Sequence, residues 1–121
     1  MSNTKKSIDE AELIRMQISE NTGASLVSSV LNGKNCLSWS KAMRIALGAK
    51  MKVEYIDGES EKPQKNSNNY KQWLRNDCLV TSWILNSVSK DIAENFIFTN
   101  SARELWVELE KHLGEKHFSG V

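Results

Sequence analysis

Three stretches of the chain repeat their apolar residues with the 3.6-residue period of a helix. In the first, Trp39, Ala42, Met43, Ala46 and Leu47 share one face, with Lys41, Arg44 and Gly48 on the other and Ser38 as the N-cap. Ile45 and Ala49 widen the apolar arc past half the circumference. An arc that wide predicts burial against more than one neighbour or against a second chain. The second stretch, about residues 69–87, is the longest, and its stripe runs through Tyr70, Trp73, Leu74, Thr81, Ile84, Leu85 and Val88. Leu79 and Trp83 lie one turn apart, about 150° or more from that stripe at 100° per residue. They form a second apolar patch, to be covered either within the chain, by the N-terminal arm or "SLVSSVL", or by the same patch of a second chain. Asp77 falls near the centre of the stripe. A carboxylate there needs a partner, and a Trp indole N–H, a neighbouring helix N-terminus, Arg44 or Arg75 would serve. The third stretch opens on Ser101 and Glu104, the two halves of a capping box. It lines Ala102, Leu105, Trp106, Leu109 and Leu113 along one face and meets a stop at Gly114.

The connecting segments are weaker. Ser89, Ile92 and Phe96 predict a short helix between the second and third stretches. "KVEYIDG" (52–58) is the best strand candidate, but it reads as a loop with a turn at Asp57-Gly58. "SEKPQKNSNN" (60–69) holds the only proline and is the clearest loop. "SLVSSVLNG" leads in extended form to an Asn32-Gly33 turn. Residues 1–24 are polar and read as a mobile arm with at most one short helix, capped by Ser7 and Glu10. The expected fold is therefore all-α: a small bundle of four to five helices over residues 25–121 behind that arm. Its expected core is Trp39, Met43, Leu47, Trp73, Ile84, Trp106 and Leu109, with Trp39, Met43 and Leu47 packed against Trp73 and Trp106.

Composition adds limits. A chain of 121 residues is one domain in size. The formal charge of +1 lacks the basic excess of a typical nucleic-acid binder. Cys36 and Cys78 are too few for a disulfide framework and read as reduced core thiols of an intracellular, cytoplasmic protein. No signal peptide or membrane-spanning run is visible. His112 and His117 have no acidic or cysteine partner at metal-ligand spacing. The glycines are scattered rather than gathered into a phosphate loop. Tryptophans on helix stripes point to packing rather than base stacking. The reading is no enzyme, no metal, no cofactor and no small-molecule substrate.

The blocks from Ser25 to Phe118 carry a resemblance. "LNGKNCLSW", "YIDG", "WLRNDCLVTSWILNS" and "ARELW" stand in the order found in the N-terminal part of Gag polyproteins of plant copia-type LTR retrotransposons. Cys36 stands where an aromatic is usual, leaving room near Trp39, and Lys90 stands where a helix-starting proline is common. The resemblance implies a capsid-type structural role: a helical domain that multimerises with itself or with other Gag copies. The usual Gag zinc knuckle has no counterpart in the chain, so RNA binding through it is not expected. The chain then reads either as part of a longer Gag or as a truncated Gag-derived gene product. The alternative is a domesticated Gag fragment acting as a regulatory module, interfering with Gag assembly or capturing a cellular protein.

Overall fold

The computed structural model of the chain describes residues 26–113. The arm expected over residues 1–24, the Gly114 stop and His117 lie outside the described residues. The architecture is all-α, with α1 (Cys36–Ala49), α2 (Glu54–Asp57), α3 (Tyr70–Leu85), α4 (Lys90–Phe96) and α5 (Ala102–Leu113). Among the described residues there is no strand, only an isolated parallel bridge between Leu31 and Val88.

Helix α5 is the centre of the packing. It lies against α2, α3 and α4, and its Trp106 stacks on Trp39 of α1 with ring centroids 5.6 Å apart. Ala102, Leu105, Trp106 and Leu109 are all buried, as their spacing requires of one helix face. Its N-terminus is capped three ways. Ser101 Oγ accepts from the Glu104 N–H at 3.0 Å, and Asp77 Oδ1 accepts from the Ala102 N–H at 3.0 Å. The Glu104 carboxylate reaches back to the Asn100 N–H at 3.3 Å, one residue before the cap.

Helix α1 starts earlier than the Ser38 cap expected from sequence. The Asn32-Gly33 turn closes on itself: Asn32 Oδ1 accepts from the Lys34 N–H, and Asn35 Oδ1 accepts from the Asn32 N–H. Gly33 takes φ 91°, where a side chain is disfavoured. The chain thus enters the helix at Cys36, and Ser38 Oγ donates back to the Asn35 carbonyl from inside it. The other end closes as a Schellman motif. Lys52 N–H bonds the Leu47 carbonyl at 2.8 Å and Met51 N–H bonds the Gly48 carbonyl at 3.0 Å. The left-handed position is held by Met51 at φ 59° rather than by a glycine.

Helix α2 replaces the loop expected at 52–58. Local propensity is poor, so tertiary contacts decide it. Tyr55 and Ile56 are buried, Arg103 of α5 donates to the Ile56 carbonyl at 2.6 Å, and Arg44 of α1 pairs with Asp57 at 2.7 Å. Gly58 ends it at φ 83°.

Helix α3 corrects the expected stripe. Its buried residues are Asp77, Leu79, Val80, Trp83 and Ile84. At 100° per residue these form one arc about 160° wide, with Val80 near the middle and Leu79 and Asp77 at its edges. The stripe drawn from Tyr70, Leu74, Thr81 and Leu85 sits too far round. What looked like two patches is one broad face turned into the core.

Candidate functional site

The sequence points to no reacting group, so the candidate sites are surfaces and the buried polar links behind them. Trp39 lies at the first of these links. Its indole N–H donates to the Ser87 carbonyl at 2.8 Å. The same carbonyl accepts from the Leu31 N–H at 2.9 Å, and Ser89 N–H bonds the Leu31 carbonyl at 2.8 Å. Ser87 Oγ donates to the Trp83 carbonyl at 2.7 Å and accepts from the Leu26 N–H at 3.2 Å. The segment before α1 is thereby clipped to the turn after α3, and Leu26, Val27 and Leu31 join the core.

That clip bears on Leu79 and Trp83, the patch considered as a meeting face for a second chain. They are only 1% and 2% exposed. Their own chain covers them, within the cluster that also takes Leu31 and Val88, and Lys50 Nζ lies 5.2 Å above the Trp83 ring. Neither residue is available to a partner in this fold.

The other residues singled out are placed as follows. Met43, Leu47, Ile84, Trp106 and Leu109 are buried together with Trp39. Trp73 is only partly buried and does not meet Trp39. It faces Tyr55 at 5.9 Å and donates its indole N–H to Ser60 Oγ at 3.1 Å. Asp77 is 4% exposed, and of the partners considered for it the helix N-terminus is the one found, at Ala102. Burial pushes its carboxyl above the ordinary value, and the Ala102 N–H and the charge of Lys62 offset part of that rise. Cys36 is a buried free thiol, as expected, while Cys78 is exposed on the far side of α3. Burial raises both thiols, and the neighbouring Asp77 charge raises Cys78 further. His112 lies edge-on to Phe96 at 5.3 Å. Among the described residues no group of three His, Cys, Asp or Glu side chains could hold a metal, and no helix is long and apolar enough to cross a membrane.

Among the described residues, the most exposed large apolar side chains gather in two places outside the core. On α1, Ile45 is 74% exposed and Leu37 is also exposed, and Met51 just beyond the helix is 80% exposed. At the α4–α5 turn, Ile97 is 57% and Phe98 89% exposed. Phe98 borders a groove lined by Ile92, Phe96, Glu104, Glu108 and His112. The wide arc of Ile45 and Ala49 predicts burial against more than one neighbour or a second chain; within the described fold both residues are exposed. The second surface had no periodic signal, because its residues lie in a turn.

Residues 17–64 match the family model described as Gag-polypeptide of LTR copia-type. No curated protein and no solved structure matches the chain. The Gag-like segment includes the Asn32-Gly33 turn, α1 with its Trp39 anchor, and α2. Much of its packing comes from beyond residue 64: Trp106 under Trp39, Ser87 on its indole, and Arg103 on the Ile56 carbonyl.

Proposed function

We propose that the chain is a structural Gag-type building block that works by associating with further copies of itself, without catalysing a reaction. The match of residues 17–64 to the copia-type Gag family carries this reading. The surface supports it. Among the described residues, Ile45, Met51, Ile97 and Phe98 present exposed apolar side chains, and patches of this kind mark interaction sites on soluble domains. Leu79 and Trp83 are buried, so the proposed contact uses these outer surfaces rather than α3. Sedimentation velocity from micromolar to near-millimolar chain concentration tests the reading. Mass-averaged sedimentation that rises with concentration supports it. A monomer across the whole range refutes it.

A further inference from the structure

The two apolar surfaces carry opposite charge. From Leu26 to Val53 the chain has Lys34, Lys41, Arg44, Lys50 and Lys52 and no acid at all. Arg44 is committed to Asp57 and Lys50 lies over the Trp83 ring, while Lys34 and Lys41 are exposed around Leu37 in one surface hollow, with the exposed Ile45 one turn beyond Lys41. From Asp91 to Glu110 the balance reverses: five acids, Asp91, Glu94, Glu104, Glu108 and Glu110, stand against one base, Arg103. Arg103 is turned away to the Ile56 carbonyl. Lys111, just after this stretch, reaches Glu108 only at 3.7 Å. Glu104 and Glu108 line the groove that Phe98 borders.

The surfaces also face in different directions. Trp106 turns toward α1, where it stacks on Trp39. Glu108 is two residues further along α5, about 200° round the helix at 100° per residue. It turns toward the groove beside α4. A two-fold contact through α1 would set Lys41 against Lys41, and one through the groove would set acid against acid. Like charges across an interface disfavour both.

Resting on the self-association reading above, we infer that copies of this chain join head to tail. The basic, apolar face of α1 in one copy seats on the acidic, apolar groove between α4 and α5 of the next. Each junction leaves one face free at either end, so the contact propagates into a ring or an open chain rather than stopping at a dimer.

The test uses the full chain and two variants, each disabling one face. Ile45→Glu places an acid on the basic face, and Phe98→Lys places a base on the acidic one. Both positions are exposed, so circular dichroism should show an unchanged fold. In sedimentation velocity each variant alone should be monomeric at concentrations where the parent assembles, a loss of at least about tenfold in affinity. An equimolar mixture should then form a species of two chains and nothing larger, because one good junction remains possible between them. Salt at about 0.5 M should weaken parental assembly. If either variant fails to fold, Lys41→Glu and Glu108→Lys make the same pairing. A mixture that stays monomeric overturns the head-to-tail contact, as does a Phe98→Lys chain that assembles like the parent. In both cases parental self-association stands. A parent that never assembles overturns the self-association reading, and this contact with it.

Discussion

Replacing Asp77 separates two roles of one carboxylate: acceptor and charge. Its Oδ1 takes the first N–H of α5 at 3.0 Å in a setting where the residue is 4% exposed. Asp77→Ala removes the acceptor and strands that N–H, at a cost of about 1–3 kcal/mol. For a domain of this size that lowers Tm by roughly 4–8 °C per kcal/mol. Asp77→Asn keeps an amide oxygen where the carboxylate oxygen was and removes the charge. The sign of its effect follows from the pKa. Burial raises the carboxyl above its ordinary value of 3.8, so the folded chain holds the proton more tightly than the unfolded chain. Stability from this group is greatest in acid and falls as pH rises from that ordinary value through the raised folded one. Above that window the parent bears the full cost of an ionised, desolvated group, and the asparagine variant bears none. Urea unfolding followed by circular dichroism between pH 3 and pH 8 is the assay. The asparagine variant should gain on the parent as pH rises and level off near neutrality, while the alanine variant stays below the asparagine variant throughout. An asparagine variant that falls further behind the parent with rising pH would show that the charge itself stabilises α5, and the desolvation argument would be wrong.

Trp39→Ala should cost about 3–5 kcal/mol, because it empties the stack on Trp106 and removes the indole donor to Ser87. Trp39→Phe should cost less, with denaturant midpoints as the readout; an alanine variant that melts with the parent would place α1 outside the core. Met51→Gly should stabilise by roughly 0.5–1 kcal/mol, since Met51 occupies the left-handed end of α1 at φ 59° and is 80% exposed. A loss of Tm there would mean the Met51 side chain makes a contact that matters. Gly58→Ala should destabilise by about 1 kcal/mol or more, because φ is 83° and the new Cβ would lie 3.3 Å from Arg103 Nε. Equal thermal stability of the two chains would count against that strain.

The sequence made legible whatever rests on local periodicity. The cap Ser101, the short helix after Ser89 and the buried faces of α1 and α5 follow from spacing alone. So does the need of Asp77 for a donor, though not which donor, since Ala102 is far from it in sequence. The parts that were misread depend on such distant contacts. Helix α2 has weak local preference, and its one turn is fixed by Arg44 and Arg103 from two other helices. Tyr70 and Leu74 are apolar but lie beyond the edge of the buried arc, and a stripe through them leaves out Val80 at its centre. Cys78, judged by its apolar character, is exposed, because its angle on α3 is opposite Val80. Leu79 and Trp83 belong to the same buried arc as Val80 and Ile84, inside a core cluster that draws on segments outside α3, Leu31 and Val88 among them. No pattern within α3 reveals those partners.

The central position of α5 has a consequence for the order in which the chain is made. Synthesis runs from the N-terminus, and α1 is complete well before Trp106 exists. At roughly 5–20 residues per second, several seconds separate Trp39 from the ring it stacks on. During that time Trp39 lacks the ring it stacks on, the Ile56 carbonyl lacks its Arg103 donor, and Asp77 has no Ala102 N–H to accept. The native core therefore cannot be completed until α5 has been made. Neighbouring ribosomes on one message would hold several such chains close together, each with an unburied tryptophan face. A chaperone that shields apolar segments during this interval would raise the yield of folded chain without touching the finished structure.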